Sequence, residues 1–243
     1  MKKHTAIYAF FVILCIWGFA SIIETRGIIP SPIKTLFFFT SHIVIILRHL
    51  TRSLMRILTA IFTTMILGSL IGILTARNQS VDSLLTPVLY ALYPVPKIAF
   101  LPILMLFFGL GDLSKIILVG LILFFQIAIT VRDGLKSIPE GYFLTLKIFK
   151  PSPIEVYRHI IFPALLPQLF TALRISVGTS ISVLFFAENY ATQYGIGYFI
   201  MDSWLKLNYT AMFSGIVAIS LMGSLIFFII DLLERHFCKW REI

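Results

Sequence analysis

Few side chains in this 243-residue chain could do chemistry, and their spacing does not suit catalysis. The five histidines, His4, His42, His49, His159 and His236, fall in tails, loops or the ends of apolar runs. No histidine pair or His–carboxylate pair among them has the spacing of a catalytic or metal-binding motif. Cys15 and Cys238 offer neither a disulfide framework nor a metal pair. The phosphate loop G-x-x-x-x-G-K-[ST] is absent, so ATP hydrolysis would have to come from elsewhere. No catalytic residue, metal or cofactor is expected. Arg174 and Glu188 do stand out, because they interrupt an apolar run. Ionisable groups in such a run face a cavity, a partner or the headgroups. At helical rise they are about 21 Å apart, too far to pair with each other. Arg174 is expected to reach for the inner headgroups. Glu188, with the small polar face of Ser176, Thr179 and Ser180, is a candidate to border a solute path.

A second kind of chemistry, recognition of a partner, is written between Arg132 and Pro167. This interval is polar, yet Phe143, Ile148, Phe149, Ile154 and Tyr157 are spaced through its charges, which suits helices against a protein surface better than a slack connector. Ser152 followed by Glu155 is a capping box, with Pro153 at the first helical position. A short helix is predicted from Pro153 to about Ile161. Ile154, Tyr157, Ile160 and Ile161 then share one side that can enter a groove, with Glu155 and Arg158 at the rim.

The elements that carry these residues are set by composition. The chain is 58% hydrophobic and 13% charged, with a mean hydropathy of +0.96. Such a chain belongs in a membrane, and its long apolar runs are helices rather than alternating barrel strands. Six spans are predicted, at 6–23, 54–76, 88–110, 115–131, 168–187 and 210–233, in one integral domain covering 1–243 with its core at 50–233. Lys2 and Lys3 precede a run too long for a signal peptide, so an uncleaved first span is expected. The formal charge of +9 is scattered through loops and both ends rather than massed, which disfavours nucleic acid. It places both termini in the cytoplasm by the positive-inside rule. Arg48, Arg52 and Arg56 go against that rule, and an outer interfacial helix over 35–50 is predicted to hold them at the headgroups. Gly68 and Gly72, with Thr64 and Ala76, form a small-residue face for helix packing. Pro94, Pro96 and Pro102 must kink or delay the third span, and freed backbone groups at membrane depth need protein or a water-filled cavity, so these prolines are further path candidates.

Ile138-Pro139, Val156 through Pro163, Leu165-Leu166-Pro167, Ala172-Leu173-Arg174, Ala187-Glu188 and Tyr194 through Gly197 are separated stretches that together resemble the permease subunits of type I ABC importers, in the nitrate/sulfonate/taurine-type branch. Upstream, Ser53, Arg56, Gly68 and Gly72 match the family's second span, and Pro94, Pro96, Lys97, Pro102, Phe108-Gly109 and Gly111 its proline-rich third. The resemblance covers roughly 30–233. The chain departs from the family's loop signature, with Leu144-Thr145-Leu146 at the E-A-A triplet and Lys150 at the glycine.

The resemblance implies an all-α polytopic fold of about six transmembrane helices with a cytoplasmic coupling helix. It also implies cytoplasmic ABC ATPase subunits docking on the 140–163 loop, an extracytoplasmic substrate-binding protein and a second permease copy, expected as a homodimer. Ile154, Glu155, Tyr157, Arg158 and Ile161 are the expected coupling residues. A self-sufficient secondary transporter is the alternative, but the chain has no internal repeat and its charges gather at span ends. A membrane enzyme is a weaker one, given the histidine placement. The aromatic segment 190–209 would suit either a planar solute or interfacial anchoring.

Overall fold

Apolar runs this long must satisfy their own backbone hydrogen bonds in lipid, and they do so as helices. The computed structural model describes residues 3–139, 141–142, 144 and 151–242, and every element among them is helical. The order is α1 (Lys3–Ile23), α2 (Pro32–Ser41), α3 (Ile43–Arg77), α4 (Gln79–Leu92), a 3-10 turn (Lys97–Phe100), α5 (Leu101–Phe108) and α6 (Asp112–Lys136). After the loop come α7 (Pro153–Val156), a π turn (Tyr157–Ile161), α8 (Phe162–Glu188), α9 (Ile196–Leu205) and α10 (Tyr209–Phe237). Among the described residues, four helices are long and apolar enough to cross a membrane: α3, α6, α10, and the 35-residue helix Ile154–Glu188 that joins α7 to α8. The pair α4 and Lys97–Phe108 makes a fifth if taken as one broken span, and Phe10–Ile23 is a shorter apolar helix.

Three expectations are corrected. The span predicted at 88–110, with a kink or a late start, is two helices, Gln79–Leu92 and Lys97–Phe108, meeting at 88°. Pro94 and Pro96 lie in the break, where proline supplies no N–H and biases the preceding residue away from helix. Lys97 repairs the broken end: its Nζ donates to the carbonyls of Leu92 (2.7 Å) and Tyr93, between the rings of Tyr93 and Phe125. The interfacial helix predicted over 35–50 divides at His42. Its first part is α2, capped by Ser31 with Pro32 in the first turn, while residues 43–50 are already the start of α3. Finally, the helix that begins at Pro153 does not stop near Ile161. The π turn carries it through Phe162-Pro163, because proline is tolerated where a new turn's N–H groups have no partner to lose.

The chain divides into two compact units, Met1–Leu54 with Glu188–Met222, and Met55–Ala187 with Gly223–Ile243. In the first, Trp17 donates to the Pro30 carbonyl (3.0 Å) and stacks on Phe213, and the Ser214 hydroxyl donates to the Thr35 carbonyl (3.2 Å). In the second, Leu101, Leu104, Leu118 and Ala187 form a buried cluster. There α3 and α6 approach closely: a Cβ added at Gly72 would fall 2.7 Å from the Ala128 carbonyl and from Val131, and one at Gly68 3.0 Å from Ile127. Where lipid is as apolar as the side chains, such backbone contact is the main source of helix adhesion.

Candidate functional site

The capped end of the Ile154–Glu188 helix projects an apolar pair into solvent. The Ser152 N–H donates to Glu155 Oε2 (2.6 Å), and the Glu155 N–H donates back to Ser152 Oγ (3.3 Å), so the capping box read in the sequence closes. Glu155 therefore serves the cap. Ile154 is 77% exposed, and Tyr157 and Arg158 are exposed beside it. The Tyr157 ring lies 4.6 Å under the Arg77 guanidinium, at the last residue of α3. Ile160 and Ile161 are 7% and 3% exposed, which corrects the expectation that Ile161 is free for docking. The π turn rotates these two residues into the core of their unit. Glu140, Phe143 and the stretch 145–150, including Thr145 and Leu146 of the triplet and Lys150, lie outside the described residues.

Two ionic clusters mark the ends of α6. At its start, Asp112 accepts from Arg56 Nε (2.9 Å), and Arg56 is buried. At its end, Arg132 donates to Asp82 (2.7 Å) and Asp133 (2.6 Å), Lys136 also pairs with Asp82, and the Tyr90 hydroxyl donates to Asp133 (2.6 Å). Asp112 and Arg132 are about 30 Å apart along the helix, the thickness of a bilayer's hydrocarbon core. Arg174 belongs to a third cluster, donating to Asp231 (2.6 Å) and Glu234 (2.5 Å) of α10. This corrects the expectation that it reaches for headgroups.

Glu188, expected at the solute path, is fully buried. Its carboxylate accepts from the Ser53 hydroxyl (2.7 Å) and the Gly197 N–H (2.8 Å). Ser53 Oγ in turn accepts from the Ile196 N–H (2.8 Å), and His49 Nδ1 from the Gly195 N–H (3.2 Å). Three successive amides of the 195–197 turn are thus held by α3 and the end of α8. Gly195 has φ +147, and a Cβ there would fall 2.4 Å from the Glu188 carboxyl carbon, so only glycine fits. A buried carboxylate is tolerated when its oxygens are hydrogen-bonded in this way, and the arrangement makes Glu188 a latch rather than a wall residue.

The small polar trio divides. Ser176 and Ser180 are fully buried, with the Ser180 hydroxyl donating to the Ser176 carbonyl (2.7 Å) and Ser176 Oγ without a partner. Thr179 is exposed and donates to the Ile175 carbonyl. Pro94, Pro96 and Pro102 are exposed at and beyond the bend. Sequence reasoning missed Ser53, Asp231 and Glu234 as partners of the charges it had singled out; Ser53 and Glu188 are 135 residues apart, beyond any local signal. It also missed a cavity of about 620 Å³ lined by Arg48, His49, Tyr194, Tyr198, Phe199 and Asp202, among others. Just beyond α9, Lys206 donates to Asp202 (2.6 Å), and that bond raises the lysine's pKa.

Comparison with known proteins bears on the family and the fold. A family profile described as "Binding-protein-dependent transport system inner membrane component" matches residues 68–240. The taurine transport system permease protein TauC of Escherichia coli (strain K12) is 31% identical over 193 residues, covering 79% of this chain and 70% of that one. The putative aliphatic sulfonates transport permease protein SsuC of Bacillus subtilis (strain 168) is 29% identical over 236 residues, covering 95% and 85%. Among solved structures, a chain of the MetNI methionine ABC transporter in inward-facing conformations superposes with a TM-score of 0.68 at 19% identity, over 81% of this chain and 98% of that one. This last likeness speaks for the fold.

Proposed function

The chain belongs to the binding-protein-dependent transport system inner membrane components, in their nitrate/sulfonate/taurine-type branch, and from that premise we propose that it is the permease subunit of an ATP-driven importer of small oxyanions. The solute class rests on relatives named for taurine, aliphatic sulfonates and nitrate. The whole chain acts as one integral domain, with both termini in the cytoplasm. Two copies form the path, two separate ATPases drive it, and an extracytoplasmic binding protein delivers the solute.

One observation carries the coupling role: a single 35-residue helix runs from the exposed Ile154 to the buried Glu188. At helical rise it is about 52 Å long, so it outreaches the bilayer core by about 20 Å. Its projecting end offers Ile154 and Tyr157 to a groove on the ATPase, and Arg158 sets register at the rim. A helix transmits displacement along its axis, and the π turn at Tyr157–Ile161 supplies a joint where the docked end meets the span. At the far end the same helix grips the 195–197 turn through Glu188. ATP-driven movement of the docked end thereby reaches the 195–197 turn without passing through soft loops.

The test is cross-linking in the assembled complex. Tyr157→Cys should form a cross-link to the ATPase. Ile154→Asp, which places a charge in an apolar groove, should release the ATPase or uncouple hydrolysis from uptake by at least about tenfold while the permease still inserts. A permease that keeps its ATPase, transports normally as Ile154→Asp and gives no cross-link from position 157 refutes the assignment.

A further inference from the structure

We propose that the cavity beside His49 is a binding site for an organic oxyanion, a sulfonate, carboxylate or phosphate carried on a flat or apolar body. The inference rests on the importer reading only for its biological setting; the chemistry comes from the cavity itself. All its lining residues belong to one compact unit. Its volume of about 620 Å³ is that of a small-molecule site.

The charges in it are not balanced. Asp202, the carboxylate at the cavity, is occupied by Lys206 at 2.6 Å. Arg48 is exposed and has no ion pair among the described residues, so a planar guanidinium with its paired donors faces the opening. His49 supplies a second donor. Its Nδ1 accepts the Gly195 N–H at 3.2 Å, which fixes the tautomer and leaves the proton on Nε2. The imidazole is 9% exposed and cannot swing away, because Tyr194, Tyr198 and Phe199 surround it with ring centroids at 6.0, 5.9 and 5.4 Å. The cavity therefore pairs a guanidinium and an imidazole N–H with the faces of three rings. An oxyanion head satisfies the donors, and a flat or apolar body covers the rings. The occupant is either a free solute or the headgroup of an anionic lipid, which share this chemistry.

The test uses the permease–ATPase complex in phosphatidylcholine nanodiscs, with para-fluorobenzenesulfonate as the probe and fluorine NMR line broadening as the readout. Saturable broadening is expected. Arg48→Gln, at an exposed position, should weaken the Kd by about tenfold or more. Tyr198→Leu should weaken it as well, while Arg52→Gln, one turn further along α3, should leave it unchanged. Nanodiscs containing phosphatidylglycerol separate the sources. Competition that requires Arg48 assigns the occupant to a lipid headgroup, and no competition assigns it to a free solute. Absence of saturable broadening in both disc types, or equal affinity with and without the Arg48 guanidinium, overturns the proposal. ATP-driven uptake, measured on the same complex supplemented with the binding protein, keeps the two readings apart. Uptake without probe binding removes this site alone, and binding without uptake removes the importer reading alone.

Discussion

Glu188 sits where water cannot reach, so every acceptor it offers must be met by protein. Ser53 and the Gly197 amide meet them. Replacing it with Gln removes one acceptor and turns a donor amide toward groups that already donate. Leaving a buried donor unmatched costs about 1–3 kcal/mol. Glu188→Gln should therefore loosen the 195–197 turn, and hydrogen exchange of those amides should speed up by about tenfold or more in the otherwise folded permease. Ser53→Ala should do the same at Ile196, whose N–H loses its acceptor. Unchanged exchange in both variants would show that the latch does not hold the turn. Why the sequence pointed elsewhere is plain at this scale. A carboxylate at a span's end looks the same whether it lines water or holds a turn, and Ser53 is separated from it by most of the chain. The Arg174 contacts were hidden likewise, since Asp231 and Glu234 lie 57 and 60 residues away. The Ser152–Glu155 box was legible because both its partners lie within one turn.

At the scale of elements, periodicity was a good guide to contact and a poor one to breaks. The four-residue spacing of Gly68 and Gly72 marks the face on which α3 meets α6, and the physical reason is backbone proximity rather than side-chain interlock. Gly72→Val should be severe, because the Cβ would overlap the Ala128 carbonyl, a backbone atom that cannot rotate aside. A fall of several degrees in the melting temperature of the detergent-solubilised permease is expected, against little change for Gly18→Val, where no atom lies within 4 Å of the new Cβ. Equal melting of the two variants would contradict the packing. The proline-rich third span was recognisable as irregular, but not as a near right-angle bend. Three prolines say that hydrogen bonds are lost; they do not say that Lys97 replaces them at the Leu92 and Tyr93 carbonyls.

Among the described residues, the Arg56–Asp112 and Arg132–Asp82 pairs stand at opposite ends of α6. The pairing gives Arg56, a basic residue that had sat awkwardly with the positive-inside rule, a carboxylate partner in Asp112. Among the described residues, α3, α6, α10 and the Ile154–Glu188 helix are long and apolar enough to cross a membrane. The proposed importer role depends on an ATPase engaged through Ile154 and Tyr157. Reconstitution in proteoliposomes tests it most directly, using the chain with and without its ATPase and binding protein, ATP inside or outside, and radiolabelled taurine, a short-chain sulfonate and nitrate as trial solutes. Accumulation of a trial solute is predicted only with the ATPase, the binding protein and ATP on the ATPase side, and Tyr157→Ala should reduce it by about tenfold or more. Accumulation by the chain alone, driven by an ion gradient and indifferent to ATP, would contradict the account.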